Sequence, residues 1–123
     1  MTEKRPAGRS VFLVEDEVLI RMMTAEMLEE LGCHIAAEAG RLDEAISLVP
    51  SIEFDLAILD VNLGGHMISP VAALIQARHR PIIFATGYGL AGVPEDLRNH
   101  PVLRKPFTCE VLAKTIDEVL CPN

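Results

Sequence analysis

Five polar residues end apolar runs in a pattern that could do chemistry. Glu15 and Asp16 directly follow Val11-Phe12-Leu13-Val14, and Asp60 follows Leu56-Ala57-Ile58-Leu59. Thr86 follows Ile82-Ile83-Phe84-Ala85, and Lys105 follows Val102-Leu103-Arg104. Clustered carboxylates repel one another and favour a hard divalent cation with oxygen ligands, Mg2+ being the usual choice beside phosphate. A carboxylate can also be the nucleophile itself and form an aspartyl phosphate. Lysine gives phosphate oxygens a compact positive charge, and a threonine hydroxyl gives a neutral donor. Phosphoryl transfer asks for little beyond positioning and charge neutralisation. One acid after a strand reads equally well as a helix cap or a solvated turn. Five polar groups at four strand ends do not.

These residues meet only if the apolar runs are strands of one sheet. The runs are continuous rather than alternating, as in strands buried on both faces. Helical spacing lies between them. Ile20, Met23, Met27 and Leu31 recur along the first helix, with Gly32 as its stop. Of the methionines there, Met22, Met23 and Met27 are expected mainly in the core. Cys33–Ala39 reads as a weaker strand. Leu42, Ala45, Ile46 and Val49 mark a short helix stopped by Pro50. Val61–Met67, with Gly64-Gly65, reads as a loop, and Ser69 as the cap of a helix with Pro70 at its first position. That helix buries Val71, Leu74 and Ile75. Gly87–His100 is broken by glycine and proline, with at most a short helix near Pro94–Arg98. Thr108 caps a last helix with the stripe Val111, Leu112, Thr115, Ile116 and Val119. Five strand–helix units in alternation predict an α/β fold with a parallel sheet, helices on both faces and right-handed crossovers. Such a sheet places its site at the carboxyl ends of its strands.

With 123 residues the chain is the size of one domain. Half its residues are hydrophobic and 24% are charged, which excludes wholesale disorder. A net charge of −7 argues against a nucleic-acid backbone or an anionic membrane as partner, since both need a basic face. No apolar run reaches the roughly 18 residues of a membrane span. Residues 1–9 read as a loose polar tail rather than a signal peptide. Cys33, Cys109 and Cys121 are odd in number and widely spaced, so a reduced, cytoplasmic protein is expected. The four histidines show no ligand spacing.

The motifs Val11–Glu17, Leu59-Asp60-Val61-Asn62, Ala85-Thr86-Gly87 and Arg104-Lys105-Pro106-Phe107 together resemble the receiver domain of response regulators in two-component signalling. The likeness runs over about Ser10–Leu120. It implies a flavodoxin-like (βα)5 fold over residues 10–121, with five parallel strands in the order 2-1-3-4-5. It further implies that Asp60 is the phosphoacceptor, and that Asp16 and Asp60 bind Mg2+ by carboxylate, Asn62 by its backbone carbonyl and Glu15 through water. Thr86, Lys105 and the Gly87 backbone would bind phosphoryl oxygens, and Lys105-Pro106 would be a cis peptide. Asp60-Val61-Asn62-Leu63-Gly64-Gly65, Ser69-Pro70-Val71-Ala72 and Phe84-Ala85-Thr86-Gly87-Tyr88 are similar to a stand-alone subgroup with a Phe-Ala-Thr-Gly signature. That subgroup is associated with histidine kinases of the HWE/HisKA2 type.

Two positions depart from the family pattern. Gly64 stands where a proline is usual, and Val102 where strand five usually carries an aromatic residue. The common aromatic switch therefore has no residue to use, and Tyr88, the only tyrosine, is the candidate to replace it. The resemblance implies a phosphoacceptor rather than an enzyme. It would be fed by a histidine kinase or a histidine phosphotransfer protein and would act on a downstream protein or serve as a phosphate sink. The chain ends at Asn123, shortly after the last helix, so no output domain is expected. The rival is an aspartyl-phosphate phosphatase of the haloacid dehalogenase type. It needs a second aspartate where Asn62 stands. A flavodoxin-like nucleotide module would need a glycine-rich phosphate loop where Glu15 and Asp16 stand.

Overall fold

The structure, a computed structural model, describes residues 8–120; residues 1–7 of the expected tail, and Cys121 at the far end, lie outside them. The elements are β1 (Ser10–Val14), α1 (Val18–Glu30), β2 (His34–Ala39), α2 (Leu42–Leu48), β3 (Leu56–Asp60), β4 (Asn62–Leu63), β5 (His66–Met67), α3 (Ser69–Ala77), β6 (Ile82–Thr86), β7 (Val102–Arg104) and α4 (Cys109–Leu120). Five of the strands form one sheet in the order β2-β1-β3-β6-β7, and every neighbouring pair is parallel. Counting only these five in chain order, this is the expected 2-1-3-4-5.

The continuous apolar runs fill both faces of this sheet. Successive side chains of a strand point to opposite faces. Phe12, Val14, Ala57, Leu59, Ile82 and Phe84 thus pack with α2 and α3 on one side. Val11, Leu13, Leu56, Ile58, Ile83 and Ala85 pack with α1 and α4 on the other. Asp60 continues the Leu56–Ile58 alternation and so leaves the strand on the α1/α4 side. The central position of β1 and β3 sets the carboxyl ends of these two strands side by side.

Several features differ from the sequence reading, and among them Leu74 of α3 and Val111 of α4, expected on apolar stripes, are 38% and 48% exposed. The fourth of the expected strand–helix units has no α-helix: the short helix expected near Pro94–Arg98 is the single 3-10 turn Glu95–Leu97, and Gly89–Gly92 is another. Glycine costs too much backbone entropy to sustain a longer helix there. In α1 the buried residues are Thr24 and Leu28, whereas Met22 and Met23 are 52% and 57% exposed. Thr24 can be buried because its hydroxyl donates to the Ile20 carbonyl at 2.9 Å. Ser69 is the first residue of α3 and Ile68 its N-cap; Ile68 is fully buried, so packing rather than a side-chain cap sets this start. Finally, the expected loop 61–67 is a tight antiparallel ribbon, with Asn62 opposite Met67 and Leu63 opposite His66. Gly64 and Gly65 turn it with φ of 55° and 92°, values that favour glycine.

Several expected stops and caps are present. Gly32 takes φ 87° while the Cys33 N–H closes back on the Leu28 carbonyl at 2.9 Å, the usual glycine-ended helix terminus. The Thr108 hydroxyl accepts from the Val111 N–H at 3.1 Å at the start of α4.

Candidate functional site

Each expected site residue lies at or just beyond the carboxyl end of a sheet strand. β1 ends at Val14, and Glu15 and Asp16 leave it toward α1. β3 delivers Asp60, β6 delivers Thr86, and Lys105 follows β7. The carboxylate oxygens of Glu15, Asp16 and Asp60 come within 4.8 Å of one another, the one group of potential metal ligands of this kind among the described residues. Glu15, Asp60 and Thr86 are buried. The Lys105 ammonium closes the cluster. It sits 2.9 Å from Glu15 Oε1 and 3.5 Å from Asp60 Oδ2.

The backbone supplies the remaining contacts. The Glu17 N–H donates to Glu15 Oε2 at 3.1 Å, and the Gly64 N–H donates to Asp16 Oδ2 at 2.9 Å. The residue at 64 must therefore carry an N–H and tolerate a positive φ, and proline does neither. The Asn62 N–H approaches Asp60 Oδ1 at 3.4 Å, while the Asn62 side-chain oxygen accepts the Gly65 N–H at 2.8 Å and holds the ribbon. The Thr86 hydroxyl accepts the Tyr88 N–H at 3.1 Å. The Lys105 N–H donates to the Thr86 carbonyl at 2.9 Å. The Lys105-Pro106 peptide is cis. Gly87 is exposed, and a side chain there would meet nothing within 4 Å.

The Asp60 carboxyl titrates at about 7, well above its ordinary 3.8. Burial is the main cause and the Glu15 charge adds to it; the Lys105 charge only partly offsets them. For Asp16, burial pushes upward, but hydrogen bonds with Asp60 and the Gly64 N–H outweigh it and hold the carboxyl below its ordinary range. Burial likewise opposes the charge on Lys105, yet its hydrogen bond with Glu15 and the Asp60 charge raise its pKa. The site thus stores one crowded carboxylate at the centre of an oxygen-only donor set. A hard divalent cation would relieve that crowding, so the donor chemistry fits a metal of this class.

Around the polar floor the cavity, of about 690 Å3, is walled by apolar groups, among them Ile20, Met23, Met27, Met67 and Phe107. Tyr88 is 79% exposed at its rim.

The family model of the response regulator receiver domain matches residues 11–117. The chain belongs to this family. This receiver domain is similar to the solution structure of SdrG from Sphingomonas melonis Fr1, with 40% identity and a TM-score of 0.82 over 91% of this chain and 96% of that one. It is also similar to the receiver domain of the PhyR response regulator from Erythrobacter litoralis, with 27% identity and a TM-score of 0.81 over 93% and 91% of the two chains. Among curated proteins it is 34% identical over 113 residues to the transcriptional regulatory protein PdtaR of Mycobacterium tuberculosis. The match covers 89% of this chain and 55% of PdtaR, so the receiver domain spans about half the length of that relative. No helix among the described residues is long and apolar enough to cross a membrane.

Two contacts of this site were not legible in the sequence. The Glu15–Lys105 ion pair joins residues 90 positions apart, and the Gly64–Asp16 hydrogen bond joins residues 48 apart. For the second, the substitution of glycine for the usual family proline was the available signal.

Proposed function

We propose that this receiver domain accepts a phosphoryl group on the Asp60 carboxylate in a Mg2+-dependent reaction and relays the signal through protein contacts. One observation carries the reading: the Asp60 carboxylate lies within 4.8 Å of two further carboxylates and 3.5 Å from a lysine ammonium, at the end of a central strand. An Asp60 oxygen attacks the phosphorus of a phosphohistidine. The P–N bond breaks, and the imidazole leaves with the electron pair and takes a proton from water. Asp16 and Asp60 would hold the cation by carboxylate, Asn62 by its backbone carbonyl, and Glu15 through water. Bound there, Mg2+ supplies charge that favours ionised Asp60 and neutralises phosphoryl oxygens. The Thr86 hydroxyl, the Gly87 N–H and the Lys105 ammonium take those oxygens. With the Asp60 pKa raised to about 7, ionisation of the nucleophile near neutral pH is incomplete without a cation, which supports a metal-dependent reaction.

The donor is a histidine kinase of the HWE/HisKA2 type or a histidine phosphotransfer protein. The Phe84–Tyr88 motif, similar to the signature of the subgroup associated with those kinases, supports this choice. The net charge of −7 favours a protein target over nucleic acid. Treatment with acetyl phosphate and Mg2+, followed by intact-mass analysis, should add one phosphoryl group to the wild type. None should add with chelator or to the Asp60→Asn variant. A hydroxylamine-sensitive phosphate on that variant would overturn the assignment. Phosphotransfer profiling against purified kinases of the HWE type then tests the donor.

A further inference from the structure

Arg21 lies on α1, away from the five polar groups, yet three elements converge on its guanidinium. Its Nη1 donates to the backbone carbonyl of Glu15 at 2.7 Å. Its Nε pairs with Glu38 Oε1 of β2 at 3.3 Å. Gly40, just past β2, leaves the space the guanidinium occupies: a Cβ there would run into Arg21 Nη1 and lie 3.6 Å from the Glu15 carbonyl oxygen. That carbonyl belongs to the peptide joining Glu15 to Asp16. On one side of this peptide the Glu15 carboxylate runs to Lys105; on the other the Asp16 carboxylate runs to Gly64. The orientation of this single peptide plane therefore sets the direction in which both acids leave the chain. The Glu15 N–H is tied to the Ala39 carbonyl at 3.0 Å, which anchors the preceding peptide to β2. Arg21 ties down the following one.

We infer that Arg21 is a positioning residue for the acidic pair: seated in the gap left by Gly40, it clamps the Glu15–Asp16 peptide and so presets the carboxylates for a divalent cation. The inference rests on the metal reading given under Proposed function. Arg21 itself touches neither cation nor phosphoryl group. A fixed peptide lowers the ordering cost of bringing two carboxylates to one ion, and supporting groups of this kind commonly shift metal affinity about tenfold or more. Lysine cannot reproduce the clamp, because one ammonium does not present the planar fork that spans the Glu15 carbonyl and Glu38.

The test is Mg2+ binding by titration calorimetry, with stability in chelator measured in parallel, for the wild type, Arg21→Met, Arg21→Lys, Gly40→Ala, Glu38→Gln and the double variant Arg21→Met/Gly40→Ala. Arg21→Met should weaken Mg2+ binding about tenfold, at the lower end of such effects. Gly40→Ala should do the same by displacing the guanidinium, and Arg21→Lys should restore only part of the affinity. The double variant should bind as Arg21→Met does, since the added methyl group then has nothing to displace. Glu38→Gln, which keeps an oxygen to accept from Nε and removes only the charge of a half-exposed pair, should bind nearly as the wild type. Unchanged Mg2+ affinity in Arg21→Met and Gly40→Ala, whatever their stability, would overturn the inference and leave the metal reading intact. A wild type that binds no Mg2+ would overturn both.

Discussion

Replacing Asp60 by asparagine should stabilise the metal-free protein while abolishing its capacity to take up phosphate. Asp60 is buried beside Glu15, and its folded pKa of about 7 lies above the ordinary 3.8. Between these values the folded chain keeps a proton that the unfolded chain has lost. Wild-type stability therefore rises as pH falls through about 7, and is lowest above it. At about 1.4 kcal/mol per pKa unit, the full displacement corresponds to about 4 kcal/mol; water at the open mouth of the cavity screens part of this, leaving about 2 kcal/mol. Asparagine keeps the shape and has no such charge. Urea melts in chelator should show Asp60→Asn about 2 kcal/mol more stable than the wild type at pH 8, with roughly half that advantage at pH 5. Mg2+ at a hundredfold excess over its dissociation constant should stabilise the wild type by about 2.7 kcal/mol and the variant by less. A variant less stable than the wild type at pH 8 in chelator would refute the crowding. So would an advantage equal at pH 5 and pH 8.

The ribbon and the rim give two further expectations. Gly64→Pro loses both the N–H to Asp16 and the positive φ, and should cost about 2–4 kcal/mol in denaturant melts; Gly64→Ala, which keeps the N–H, should cost about 1 kcal/mol. Equal losses for the two variants would show that the hydrogen bond contributes nothing. Tyr88→Ala should speed loss of phosphate from Asp60 severalfold without preventing its gain, because the ring at the cavity rim then no longer obstructs an attacking water. Phosphate half-life, followed by phosphate release after removal of the donor, reads this directly, and an unchanged half-life would remove Tyr88 from that role.

The continuous apolar runs of β1, β3 and β6 announced strands buried on both faces, and from those runs the sheet and its working edge could be read. What misled was local. In α1 the apolar count favoured a stripe through Met23, but the core faces Thr24, whose hydroxyl bonds within its own helix and so enters apolar surroundings at small cost. At Ser69 a good capping residue lost to the burial of Ile68. Strand ends made Glu15, Asp16, Asp60, Thr86 and Lys105 visible as candidates. Which of them bonds to which was not visible, because Lys105 meets Glu15 only through a sheet that brings together parts of the chain remote in sequence. Nor did any spacing rule single out Arg21, whose partners are a backbone carbonyl, the Glu38 carboxylate and a gap left by glycine.

The hydrogen bond from the Lys105 N–H to the Thr86 carbonyl has a consequence for how an anion would be held. It fastens two residues far apart in the chain into a single rung between neighbouring strands, so they approach any bound group as one rigid bracket. A tetrahedral anion meeting that bracket does not have to recruit a hydroxyl and an ammonium separately. The main-chain part of the loss of freedom was met once, when β7 docked on β6, and only the side chains remain to be ordered at binding.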